Sequence, residues 1–342
     1  MRNAAGPPVR GVPSIRDVAA AAGVSHQTVS RVLNGHPRVR PTTRALVLAH
    51  IQALNYRPNQ AARTLSSGRS RTVTVVTANT TLYGPARTLQ GIEEAARGSG
   101  FGVGVLVVES AAEPAVRAVL DHATDQATGA VIVIAFDEAG QRVLHSLPPG
   151  IPVAAATEPA LAVPPGIPHV WLDDRVAGIE ATNLLLSLGH RTVHHVPLPS
   201  AARSHGRTEG WQAALSAAGA PIPRLPAAGW DAAAGYRAGR ALARNRRVTA
   251  ILCGNDDIAT GVRRALHEAG RAVPGEISLV GFDDAPGSAY AVPALTTVAM
   301  DFLALGRACF EAASAALLGE PIPTARLPNP RLILRESVGP PP

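Results

Sequence analysis

Along residues 15–33 the apolar positions recur at helical spacing. Ile15, Val18, Ala19 and Ala22 fall at i, i+3, i+4 and i+7, which gathers them on one stripe of a first helix. Gly23 breaks the stripe, and Ser25 offers an N-cap oxygen to a second helix whose Val29, Val32 and Leu33 point inward. The opposite face of that helix carries His26, Gln27, Ser30 and Arg31, all hydrogen-bonding side chains. Two short helices joined by a tight glycine turn, the second with such a face, form a helix-turn-helix, and the face suits base edges and phosphates in a major groove. Pro41 fits the first turn of a third helix reaching about Leu54, with Val47, Ile51 and Leu54 at i, i+4 and i+7. Three helices suffice for a small core.

From Arg71 the pattern changes to short apolar runs alternating with helical stretches. Strands are expected at 73–76, 102–108, 130–136 and 151–156, with helices such as 89–97 and 114–123 between them. The alternation then repeats, with strands at 193–196, 250–253 and 278–282 and helices around 207–218, 232–244 and 257–269. Such alternation builds parallel sheets, so two doubly wound lobes are expected. Open parallel sheets bind ligands outside the carboxyl ends of their strands, which puts a site in the cleft between lobes. Between the two regions, Gln60 to Leu65 is helix-permissive but bounded by Ser66, Ser67 and Gly68. Six residues cannot hold a helix alone in water, so this segment reads as a hinge that orders with a partner. Residues 1–13, with Gly6, Pro7, Pro8 and Gly11, read as a disordered leader.

Charge sharpens the division. All 32 basic residues are Arg. Residues 1–70 hold ten Arg and one acid, Asp17, a balance of +9; the other 272 residues hold 22 Arg and 24 acids, a balance of −2. A bias toward Arg codons explains Arg over Lys but not the near-absence of acids from one segment. A small basic head on a slightly acidic body is the footprint of a phosphate-backbone binder.

Several classes are disfavoured. Cys253 and Cys309 form no CxxC pair and read as buried apolar residues of a reduced cytosol. The longest apolar runs, such as 129–136, are only strand length, and 1–13 lack a signal-peptide stretch, so a cytoplasmic protein without membrane association is expected. The GSGFGVG run at 98–104 fits GxGxxG in no register, and neither GxSxG nor GxxxxGK[ST] occurs. His194 and His195 are adjacent in an expected strand and so face opposite sides, a poor metal pair. No catalytic residue, metal or cofactor is expected, and a secreted sugar-binding module would need an export signal and no basic head.

Six motifs in order carry a resemblance: IRDVAAAAGVSHQTVSRVLN from Ile15, RPNQAARTL ending at Leu65, LGHR from Leu188, RTEGW from Arg207, GNDDIATG from Gly254 and SLVGFDD from Ser278. Over about residues 14–338 the chain resembles the lac repressor (LacI/GalR) family of bacterial transcription regulators. The resemblance implies an all-α helix-turn-helix head plus an α/β two-lobed, periplasmic-binding-protein-like (type I) sensor domain. The expected division is a leader at 1–13, the head at 14–58, a hinge helix and linker at 59–70, the sensor at 71–338 and a tail at 339–342. Within the sensor, the N-lobe would comprise about 71–170 plus 302–330 and the C-lobe about 171–301 plus 331–338.

The resemblance also implies a homodimer on a pseudopalindromic double-stranded operator. His26, Gln27 and Arg31 would read base edges, and Ser14, Ser25, Thr28, Ser30 and Asn34 would hold phosphates, with Asn59 in the hinge adding to the DNA contacts. His26 has a plainer reading as an exposed polar residue at a helix start. Leu65 stands where the family inserts a leucine wedge into the minor groove; taken alone, it would be a packing residue. In the cleft, Arg207, Asn255 and Asp283 would hold the hydroxyls of a small-molecule effector, a sugar by resemblance; Trp230 would wall one face, and Leu82 and Pro85 would line the other lobe. Asp256 and Asp284 read as capping or loop residues and Trp211 as core. Where sugar-binding members often carry a polar side chain, this chain has Thr157 and Met300, and Met cannot fix a hydroxyl.

The TLYGPARTLQGIEEAAR segment and Trp230 lean toward a galactoside-like effector, and a repressor released by its ligand is expected, with corepression or dual regulation by a non-sugar effector as the alternative. The chain ends in ESVGPPP, which cannot form the heptad helix of tetrameric members, so a dimer is expected.

Overall fold

In the computed structural model, which describes residues 13–33, 36–56, 70–124, 129–159, 161–200, 206–323 and 327–342, the chain divides into two units between Ser70 and Arg71. The leader up to residue 12, Asn34, and the hinge with Asn59 and Leu65 lie outside the described residues.

The first unit is three helices, α1 (Ile15–Ala21), α2 (His26–Leu33) and α3 (Pro41–Ala53). Ser14 starts α1 with a reciprocal cap: its Oγ accepts from Asp17 N at 3.4 Å, and its own N–H donates to the Asp17 carboxylate at 2.7 Å. Those bonds hold the Asp17 carboxyl below its ordinary pKa. Gly23, at φ +63°, makes the turn that a Cβ would strain. Ser25 Oγ then accepts from Thr28 N at 3.2 Å to open α2. Val18, Ala19, Ala22, Val29, Val32 and Val47 are buried together, with Ile15, Leu33, Ile51, Leu54 and Tyr56 half-buried around them.

The second unit holds two five-stranded sheets. The first runs β2 (Gly102–Val107), β1 (Thr72–Thr77), β3 (Ala130–Ala135), β4 (Val153–Thr157), β5 (His169–Val170), all parallel. The second runs β10 (Arg331–Ile333), β9 (Thr296–Ala299), β8 (Ser278–Asp283), β7 (Ala250–Cys253), β6 (His194–Val196), parallel except for the antiparallel β10. Helices α4 (Tyr83–Gly98), α5 (Glu113–Ala123) and α6 (Glu138–Ser146) belong to the first lobe, and α7 (Asp174–Ser187), α8 (Gly206–Ala217), α9 (Ala232–Ala243) and α10 (Asp256–Glu268) to the second. Every residue of β3, AVIVIA, is buried, as a central strand covered on both faces requires.

The chain passes between lobes three times. It leaves the first sheet after β5, returns after β9 to lay α11 (Phe302–Leu318) against α4, β3 and β4, and crosses again to β10. The α4–α11 contact needs glycine at both sides: a Cβ on Gly91 would collide with the Leu303 carbonyl, and one on Gly306 with the Thr88 carbonyl.

The strands at 73–76, 102–108 and 130–136 and the helices around 232–244 and 257–269 are found within a residue or two of expectation. One helix differs: the stretch expected from 89 begins at Tyr83. Pro85 sits in the first turn of α4, where no N–H is needed for the helix ladder. The two-residue β5 and three-residue β10 are too short to show a period and exist through their pairing.

Candidate functional site

On the first unit, His26, Gln27 and Arg31 are exposed on one side of α2, while Thr28 and Ser30 are half-buried. Ser25 and Thr28 are already engaged with each other, their hydroxyls 3.0 Å apart, and the Ser14 hydroxyl donates to Asp17 at 2.8 Å. These hydroxyls hold the starts of the two helices in place. Arg44 Nη2 donates to the His36 carbonyl at 2.8 Å, tying the loop after α2 to α3.

In the second unit, one cleft collects residues from strand ends in both lobes. Thr157 and Asp283 are the last residues of β4 and β8, Asn255 follows β7 by two positions, and Phe136 follows β3 by one. After β1, Asn79 Oδ1 accepts from Thr81 N and Leu82 N, each at 2.7 Å, and this turn delivers Leu82 to the start of α4. Leu82, Pro85, Thr157, Arg207, Trp230, Asn255 and Asp283 all line this one cleft, whose free space is about 580 Å³ counted to its open mouth. Met300 lines it as well. The sequence reading missed Tyr83, Phe136, Glu158, Leu172, Asp174, Leu198, Phe302 and Leu305. The strand-end rule would have found Phe136 and Glu158; Phe302 and Leu305 arrive only because α11 crosses back to the first lobe.

Arg207 is the organising charge. It lies in the first turn of α8, 5% exposed, with Nε 3.3 Å from Asp174 Oδ2 and Nη1 3.1 Å from Asp283 Oδ1. Nη1 also donates to the Gly254 carbonyl, and the guanidinium lies 4.5 Å from the centroid of the Phe282 ring. Asp283 itself has φ +103°, a conformation that favours glycine, so the backbone is held against its preference while its carboxylate meets Arg207. Burial pushes three carboxyls of the cleft upward. Asp283 is raised despite Arg207, Asp174 reaches about 6, and Glu158 about 8 with the Asp174 charge adding to burial. Ser200 Oγ donates to Glu158 at 3.1 Å.

Asn255 is occupied at both ends: its Oδ1 accepts from Ile258 N at 2.8 Å as the cap of α10, and its Nδ2 donates to the Trp230 carbonyl at 2.9 Å. It therefore positions Trp230 as well as facing the cleft. The Thr157 hydroxyl is buried without a hydrogen-bond partner among the described residues. Asp256, behind the cleft, accepts from Ala285 N, Ser288 Oγ and Thr297 Oγ1 at 2.6–2.8 Å, and its carboxyl is raised to about 7 by burial and by Asp283. Asp284 pairs with Arg335 at 2.6 Å, and buried Trp211 donates to the Val193 carbonyl at 2.8 Å. All three serve the fold. So does His195, buried between the Leu252 carbonyl and Thr208 at 2.9 and 3.0 Å. Among the described residues no group of His, Cys, Asp and Glu is arranged to hold a metal, and no helix is long and apolar enough to cross a membrane.

A helix-turn-helix followed by a two-lobed α/β body with a strand-end cleft defines a class, the DNA-binding regulator with a ligand-sensing domain. Residues 14–59 match the model of bacterial regulatory proteins of the lacI family, and 182–338 match the periplasmic binding protein-like domain. The chain is 31% identical over 341 residues to the HTH-type transcriptional regulator GalR of Escherichia coli strain K12, covering 96% of each. It is 30% identical over 297 residues to the lactose operon repressor of the same organism, covering 86% of this chain and 82% of that one. A crystal structure of the lac repressor dimer bound to operator and the anti-inducer ONPF superposes with a TM-score of 0.85 at 28% identity, covering 96% of this chain and all of that one. A transcriptional regulator CelR-cellobiose complex gives 0.68 at 26% identity, covering 95% and 99%. The protein belongs to the LacI/GalR family of transcriptional regulators.

Proposed function

We propose that this protein is a non-catalytic repressor of sugar-utilisation genes, a cytoplasmic homodimer released from a pseudopalindromic operator when a sugar closes its cleft. The observation that carries this reading is Arg207: a guanidinium aimed along the cleft by Asp174, Asp283 and the Gly254 carbonyl, beside Asn255 and Trp230. A rigid fork beside a carboxylate accepts and donates to neighbouring hydroxyls at once, and an indole face suits a pyranose ring. Leu82 and Pro85 complete the apolar wall from the other lobe, and Thr157 offers its unpartnered hydroxyl. A relative named for the lactose operon, and the solved cellobiose complex, support a saccharide as the effector class.

On this reading residues 14–58 are the operator head, 59–70 the hinge, and 71–338 the sensor, its lobes about 71–170 plus 302–330 and 171–301 plus 331–338. Gln27 takes adenine N6 and N7 and Arg31 takes guanine O6 and N7, with His26 beside them; Ser14, Ser25, Thr28, Ser30 and Asn34 hold phosphates, Asn59 adds to the DNA contacts, and Leu65 wedges the minor groove. Ligand and operator are coupled by linkage, typically about 1–3 kcal/mol, and each weakens the other by the same factor. An operator gel shift with galactosides, glucosides, maltose and cellobiose tests the sign. Release by one of these sugars supports the reading, whereas tighter DNA binding makes the ligand a corepressor and sinks it.

A further inference from the structure

Helix α9 carries Arg237 and Arg240, its C-cap Arg244 continues them at i, i+3 and i+7 as a single stripe, and Arg246 and Arg247 lie just beyond. All five are exposed. Arg240, Arg244 and Arg246 line an open hollow together with Tyr236 and, from α10, Glu268; its free space is about 960 Å³ counted to the mouth, room for more than one phosphate group.

Three helical arginines of this unit are answered by a glutamate four residues away: Arg97 by Glu93 at 3.1 Å, Arg117 by Glu113 at 2.8 Å, Arg264 by Glu268 at 2.7 Å. The α9 stripe has no such partner, and unlike the single arginines Arg142 and Arg175 on other helices it gathers several on one face. Among the described residues no acid pairs with Arg237, Arg240, Arg244 or Arg247, and only Arg246 reaches one, Glu276 at 3.3 Å. The one acid of the hollow, Glu268, is held by Arg264 and by the Tyr236 hydroxyl at 2.5 Å. Composition does not explain the patch, because residues 71–342 carry 22 Arg against 24 acids, whereas the hollow is lined by three Arg and by Glu268 alone among acids. The helix dipole favours a cation at the C-cap position of Arg244, yet it does not call for Arg237, about two turns earlier. A two-fold contact through this face would set the same positive patch against itself, so a second copy of the chain is a poor occupant.

We propose that this hollow is a second ligand site, separate from the sensor cleft, for a small anion bearing at least two linked phosphate groups. Each guanidinium presents a planar fork that grips phosphate oxygens in pairs. Three such forks converge on one hollow, and the stripe from Arg237 to Arg244 rises about 10 Å along the helix, which suits a chain of phosphates better than a single one.

Tripolyphosphate is the probe, titrated calorimetrically into the full-length protein and compared with orthophosphate. The basic head also attracts anions, so the readout is the difference between the wild type and R240E/R244E, with R97E/R117E matching the change in charge elsewhere. Expected are one tripolyphosphate site per chain that R240E/R244E loses and R97E/R117E keeps, rescue by R240K/R244K, and at least tenfold weaker orthophosphate binding. R240Q/R244Q replaces the charge reversal if that variant fails to fold. Equal stoichiometry in wild type and variant, or equal affinity for orthophosphate, overturns the proposal. So does a non-operator duplex whose binding depends on Arg240 and Arg244 while tripolyphosphate binding does not, which would assign the patch to nucleic acid.

Discussion

The exposed face of α2 and the strand-end cleft of the second unit are built in opposite ways. His26, Gln27 and Arg31 lie within six consecutive positions, exposed, on a helix whose other side makes the core. Arg207, Asp174, Asn255 and Asp283 span 110 positions, are buried, and hold one another as well as facing the cleft. On the proposed reading, binding and folding fall to different sides of one helix in the head, whereas in the cleft the same side chains serve both. Substitutions therefore separate the two roles in the head and entangle them in the cleft.

The largest effect expected is from Arg207→Ala. It strands the buried Asp174 and Asp283 carboxylates, so the sensor should lose about 3–5 kcal/mol in urea unfolding at pH 7 together with its ligand response. A variant as stable as the wild type would show that the pairing is not structural and would break the contrast. Arg31→Ala should do the reverse, costing about 1–3 kcal/mol of operator discrimination at one base pair by fluorescence anisotropy with no change in unfolding. A fall in stability there would mean that the reading face also supports the fold.

Protons offer a third comparison. Glu158 has a folded pKa of about 8 against an ordinary 4.5, so between those values the folded chain holds the proton that the unfolded chain releases. Its contribution is complete below about pH 4.5 and is lost as pH rises toward 8. Glu158→Gln should match the wild type near pH 5 and exceed it near pH 8.5, and parallel urea midpoints across that range would refute the assignment. The smallest effect is expected at the head, where Ser25→Ala removes the cap of α2 and should cost about 1 kcal/mol in its melting.

How much of each region was legible follows from the same contrast. The three head helices were readable because their signals are local: the Ile15, Val18, Ala19, Ala22 stripe, the Gly23 turn, the Ser25 cap and Pro41 each act within a few residues. The seven cleft residues named from sequence came from strand-end logic and from motif resemblance, and they do share one cleft. Asp174 was passed over because nothing beside it in the chain marks it as a partner of Arg207, 33 positions later.

The sequence by itself determined the order of elements, the basic head and the alternation of strands and helices, since periodicity, capping and charge are properties of neighbours along the chain. Only the tertiary structure decided that α11 returns to the first lobe to bring Phe302 and Leu305 to the cleft, that Asp283 adopts a strained backbone against Arg207, and that Asn255 holds Trp230. It also decided that three arginines of α9 and the turn beyond share one hollow with a single acid, Glu268. Those facts depend on which distant side chains burial forces together, and no local pattern encodes them.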